Sequence, residues 1–165
     1  MKLTLVLLAA LCVVTLAVLP AGAVSIRALT ITIAPNGDAT VDLQYSLTLL
    51  EQTAVYFQLA DPAAELKQGL ESNLGRQVTV LGVSPASAEV IIPSFASVSE
   101  SQGSMTVTTP GFSLAQAQHD IDRYWFAPLI SPDFTPQVTT IVFPDGTSET
   151  VYNEIDIPSF THRIG

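Results

Sequence analysis

Residues 26–49 read IRALTITIAPNGDATVDLQYSLTL, and this stretch decides the fold class. Leu29, Ile31 and Ile33 alternate with Thr30 and Thr32. After Pro35-Asn36-Gly37-Asp38 the alternation resumes, with Val41, Leu43, Tyr45, Leu47 and Leu49 set against Thr40, Asp42, Gln44, Ser46 and Thr48. A period of two puts the apolar side chains on one face of a strand pair. Asn36-Gly37 supplies the positive φ that a tight hairpin turn needs. One face of the hairpin must therefore be covered, and the rest of the chain has to supply the cover.

Upstream of the hairpin, residues 1–23 form a separate unit. Lys2 gives a single positive charge, residues 3–19 are an apolar run, and Ala21-Gly22-Ala23 offers an Ala-x-Ala site. This pattern predicts a secretory signal peptide cleaved after Ala23. The run also approaches the roughly 20 residues that span a bilayer, so an uncleaved N-terminal anchor is the competing reading. Lipid attachment at Cys12 fits worse, because Cys12 lies in the middle of the run and not at its end. Residues 24–165 are then one globular domain, long enough for a real core.

That domain carries Arg27, Lys67, Arg76, Arg123 and Arg163 against fifteen acids, five less fifteen or a net −10. Nucleic acid and anionic lipid both call for clustered Lys and Arg, so neither is an expected partner. Membrane contact is expected only through an uncleaved N-terminal segment. The one cysteine lies in that segment. Disulfides, thiolate metal sites and cysteine nucleophiles are therefore excluded from the domain, which must hold itself together by burial.

Past the hairpin, residues 54–59 (AVYFQL) continue in extended style. A helix follows, capped by Asp61, with Pro62 in its first turn and Asn73-Leu74-Gly75 at its end. Its stripe is Ala63, Leu66, Leu70 and Leu74, and Lys67 and Glu71 sit four apart on the wet side. Residues 77–83 and 88–92 read as strands around a turn at 84–87, and Pro93 stops the second. Residues 95–99 extend it past the proline, 99–104 form an exposed loop tip, and 105–109 return as a short strand. A second helix starts at Ser113, with Leu114, Ala117, Ile121 and Tyr124 as its stripe. Pro128, Pro132 and Pro136 impose an irregular connector over 127–137. A second hairpin pairs 138–143 with 148–157 across Pro144-Asp145-Gly146-Thr147, and 159–165 is a short tail. The order ββ(β)–α–βββ–α–ββ predicts an α+β fold: a mostly antiparallel sheet built from hairpins, with two helices packed on one face. One internal echo stands out, Ile92-Pro93-Ser94-Phe95 against Ile157-Pro158-Ser159-Phe160.

Chemistry-bearing patterns are sparse. His119, Asp120, Asp122 and Arg123 cluster on the second helix, where a metal would want a third ligand such as His162 or Asp133. No H-E-x-x-H, G-x-S-x-G, phosphate-cradling glycine turn or calcium loop occurs, so no catalytic residue, metal site or cofactor is assigned and an enzyme is the less favoured reading. Tyr124-Trp125-Phe126 is the densest aromatic cluster, and with His119 it makes the candidate ligand-binding patch. The β-branched, uncharged runs 105–109 and 138–143 pair readily with another chain if they lie at an edge, which makes Val107 and Ile141 the candidate interface residues.

The leader followed by Ile33-Ala34-Pro35-Asn36-Gly37-Asp38-Ala39, the helix from Asp61-Pro62 to Leu74-Gly75, Tyr124-Trp125-Phe126-Ala127-Pro128-Leu129 and Phe143-Pro144-Asp145-Gly146 together resemble small exported proteins of unknown function from methanogenic archaea. The resemblance implies an archaeal envelope setting and no catalytic residues. Two functions follow as expectations. The first is a non-catalytic, exported cell-envelope protein, secreted or held at the surface, acting by self-association or by binding an envelope protein. The alternative is an extracytoplasmic ligand-binding or hydrolytic domain with its site near Trp125 and His119.

Overall fold

The computed structural model describes residues 25–46, 62–115 and 133–165. The leading hairpin forms as its alternation dictates, from β1 (Ser25–Ile33) and β2 (Ala39–Ser46). Their register sets Leu29 against Leu43, Ile31 against Val41 and Ile33 against Ala39. Ile26 is also buried, although it stands three residues before Leu29. A bulge at Arg27 makes this possible: the register skips that residue, so Ile26 pairs with Tyr45 and rejoins the face it would otherwise leave.

Downstream the chain forms α1 (Pro62–Leu74), β3 (Thr79–Val83), β4 (Ser87–Ile92), β5 (Ser97–Ser101), β6 (Ser104–Thr108), β7 (Phe112–Ser113), β8 (Val138–Val142), β9 (Ser148–Tyr152), β10 (Asp156–Ile157) and β11 (Thr161–Ile164). Six strands make one sheet in the order β3-β4-β2-β1-β8-β9. β1 and β8 run parallel, with Ile31 beside Ile141, so the two hairpins lie side by side with both turns at one end. At the other end Ser25 pairs with Ser46 and bridges to Asp133. A three-stranded sheet, β11-β6-β5, and the short pair β10-β7 complete the fold.

Two expectations are thereby corrected. The fold is mostly β, in several sheets, and is not a sheet with two helices on one face; α1 is the single helix among the described residues. The stretches read as a loop tip and a tail are strands: β5 continues through Ser101 to a turn at Gln102-Gly103, and β11 flanks the other side of β6. The last strand of the second hairpin also ends early, at Tyr152. Asn153 takes φ +54 and turns the chain toward β10 in a different pairing. Of the expected second helix, Ser113 lies in β7 and its Oγ accepts the Ala115 N–H at 3.2 Å; residues 116–124 lie outside the described residues.

The small sheet covers the face that the alternation leaves apolar. Leu29, Ile31, Ile33 and Ile141 from the large sheet, with Phe143 just past the end of β8, meet Val107, Ala96 and Ile157 in one core. Beside it, Val78, Val90 and Ile92 pack with Leu66 and Leu70 of α1, and Val41 and Phe95 touch both groups. Lys67 and Glu71 pair at 3.8 Å, and Glu71 also accepts the Val78 N–H at 3.1 Å. Leu74, read as part of the apolar stripe, is 38 % exposed instead. Thr139, facing Leu29 and Val151 across the strands, is buried with no hydrogen-bond partner for its hydroxyl among the described residues.

The Ile-Pro-Ser-Phe echo has a structural counterpart. Each copy leads into one of the two strands that flank β6: the first into β5, the second into β11. Thr108 pairs with Ser97 on one side and Thr161 on the other, so the copies arrive one residue out of step.

Candidate functional site

His119, Tyr124, Trp125 and Phe126 lie outside the described residues. Val107 and Ile141 are placed plainly, and neither is at a surface. Val107 is 0 % exposed on the middle strand of the small sheet; Ile141 is 1 % exposed on β8, which is paired on both sides. The two β-branched runs are interior strands, because β11 and β9, both too polar to advertise burial, close over them.

A polar cluster that joins His, Asp and Thr side chains sits at the turn end. Both hairpin turns share one hydrogen-bond pattern. Gly37 N–H donates to Ala34 O and Ala34 N–H to Asp38 O; Gly146 N–H donates to Phe143 O and Phe143 N–H to Thr147 O. Only the glycines take positive φ, +86 and +83. Each turn then grips a returning segment. Asp38 Oδ1 accepts the Ser94 N–H at 2.7 Å, and Gly37 O accepts the Ala96 N–H at 2.9 Å. At the second turn Asp145 Oδ2 accepts the His162 Nε2–H at 2.8 Å, and Asp145 Oδ1 accepts the Thr147 hydroxyl at 2.7 Å and its N–H at 3.0 Å. The His162 ring lies over Phe143, with centroids 4.7 Å apart.

Histidine, aspartate and threonine hydroxyl in contact invite a nucleophilic reading, and the geometry rejects it. In a relay the base uses one ring nitrogen for the nucleophile and the other for the acid. Here Thr147 Oγ1, at 2.9 Å, and Asp145 share the same Nε2. The threonine proton is already given to Asp145. The cluster is a clasp that holds β11 against the β8–β9 turn. Nor does His162 join Asp133 in a metal site, since the two lie at opposite ends of β8. No group of three or more metal-ligating side chains occurs among the described residues.

The hydrogen bond from His162, and after it that from Thr147, holds the Asp145 carboxyl down at about 2, from an ordinary 3.8. A carboxyl lowered by folding contributes stability above its ordinary value and loses it as pH falls toward the folded one. The melting temperature of the wild type should therefore exceed that of Asp145→Asn at pH 6, and the gap should close between about pH 4 and pH 2. A gap that stayed constant over that range would show that the charge on Asp145 does not matter.

The remaining feature is the set of sheet edges. β3 is blunted by a bulge at Leu81, next to Gly82. β5 is mostly serine, a poor strand former, and ends at Gln102 with φ +50. β11 is pinned by the clasp and by Arg163, whose guanidinium donates to Ser104 Oγ at 2.9 and 3.1 Å. β9 alone has neither device. It pairs with β8 over five residues without a bulge, contains no Pro, Gly or Lys, and carries Tyr152, 66 % exposed. An open depression at the β5–β6 turn, bordered by Glu100, Gln102, Met105 and Ile164, gathers no convergent set of catalytic groups. No helix among the described residues is long and apolar enough to cross a membrane. No known family matches this chain, and no curated protein or solved structure is detectably similar to it.

Proposed function

We propose that this is a non-catalytic exported protein of the cell envelope that acts through its protein surface, by self-assembly or by binding a neighbouring envelope protein. The observation that carries this reading is the junction at residues 23–25. The apolar leader ends at Ala23, and β1, an interior strand of the six-stranded sheet, begins at Ser25. A leader that is removed frees the whole sheet. A leader that is retained leaves only residues 20–24 between the apolar run and the Ser25–Ser46–Asp133 end of the sheet, the end away from the two hairpin loops. The net charge of −10 supports an exported, soluble domain. With Asp145 and His162 bonded to each other, the sheet edges are the surfaces among the described residues best suited to make contacts.

The test is expression of the full chain with a C-terminal tag, followed by cell fractionation and N-terminal sequencing. The expected product is outside the cytoplasm, either released with Val24 as its first residue or membrane-bound and accessible to external protease. Full-length protein free in the cytoplasm would overturn the reading.

A further inference from the structure

We propose that β9 is a docking edge for a second copy of this chain, the two β9 strands pairing antiparallel about a two-fold axis at Thr150 and joining the two six-stranded sheets. This rests on the reading that the protein acts by surface contact, and it names the surface. Among the described residues β9 is the terminal strand of its sheet, and no described strand lies beside the outer side of its backbone. Such an edge templates another strand unless it is blunted, and the other three edges of the two larger sheets carry a bulge, a serine-rich strand ending in a left-handed turn, or pinned charged side chains. Thr150, Val151 and Tyr152 are strong strand formers.

Self-complementarity and charge select both partner and register. Centred on Thr150, all five residues pair: Ser148 with Tyr152, Glu149 with Val151, and Thr150 with itself. Each acid then faces a valine of the other copy. A shift by one pair toward Glu149 sets the two carboxylates opposite each other, which is repulsive across strands. A shift toward Val151 brings in Asn153, whose φ of +54 cannot continue a strand. Tyr152, the most exposed of the large hydrophobic side chains among the described residues, lies over Ser148 and Thr150 of the partner copy in the centred register. Closed two-fold pairing of this kind yields a dimer and not a fibre.

The experiment uses the full chain with Cys12→Ser, so that introduced cysteines are the only ones. Thr150→Cys places a thiol opposite its own copy, where Cβ atoms are about 4.5–5.5 Å apart and close enough to bridge with small adjustment. It should cross-link to a dimer under mild oxidation, whereas Thr32→Cys, exposed on the interior strand β1, should not. Thr150→Lys sets two ammonium groups face to face and should weaken the dimer at least tenfold by light scattering, with the circular dichroism spectrum unchanged. Added salt should strengthen the wild-type dimer, since each copy of the full chain carries net −9. An assembly that ignores Thr150→Lys and does not cross-link through Cys at 150 would overturn the β9 edge while leaving self-assembly intact. A wild-type monomer at every concentration and salt would overturn both, and leave the export reading to the fractionation experiment.

Discussion

Val107→Lys is expected to unfold the protein. Val107 is 0 % exposed, in the middle strand of the small sheet, and packs in the core shared with Ile31, Ile33 and Phe143. An ammonium group there has no carboxylate opposite: the cross-strand neighbours in register are Val98 and His162. Burying an unpaired charge costs about 5 kcal/mol or more in a packed interior, comparable to the whole stability of a small domain. Ile141→Lys should be milder. Ile141 is as buried, but Glu149 stands directly opposite it on the outer strand β9, within reach of a lysine tip. Chemical denaturation of both variants, with Val107→Ala as a control costing about 2 kcal/mol, orders the three. Equal effects for the two lysines would show that Glu149 gives no relief. Full stability of Val107→Lys would mean that the small sheet does not close the core.

The second large effect separates two glycines that look alike in sequence. Gly37 and Gly146 occupy the same place in twin turns, at φ +86 and +83. Gly146→Ala should cost only the left-handed conformation, about 1–2 kcal/mol, because the space its new methyl group would enter is empty to 4 Å. At Gly37 the same methyl would run into the Ala96 carbonyl oxygen and crowd Val98 Cγ2 at 3.3 Å. The obstacle is backbone, and it belongs to the segment whose Ala96 N–H bonds to Gly37 O. Gly37→Ala should therefore cost about 3–4 kcal/mol, through strain plus separation of β5 from the turn. Thermal melts of the two variants decide it; similar losses would mean that the Ala96 strand yields without cost.

Local signals in the chain are reliable wherever one residue's chemistry settles one backbone feature. Pro35-Asn36-Gly37 and Pro144-Asp145-Gly146 specify turns, Gly75 closes α1 at φ +63 with its N–H on Glu71 O, and alternation from Leu29 to Leu43 specifies a hairpin with one buried face. The bulge at Arg27 is not legible in this way, because a period-two reading continues in step until tertiary burial of Ile26 forces the slip. Nor does β11 announce itself. Thr161, His162, Arg163 and Ile164 carry no alternation strong enough to mark a strand, and they become one because β6 offers a free edge and Asp145 holds His162.

The hairpins, their turns, the amphipathic helix and the acidic, cysteine-free body behind an apolar leader can all be read from the chain alone, since each depends on residues within a turn or a few positions of one another. Which strands are interior and which are edges is settled by the assembled sheets. Pairing between β6 and β11, or between β1 and β8, joins residues more than 50 positions apart through backbone groups that nearly every residue carries, so side-chain pattern alone does not encode the partner. That is why the β-branched runs around Val107 and Ile141 fit an edge or an interior strand equally in sequence and lie in the core, while the polar strand Ser148–Tyr152 is the terminal one among the described residues.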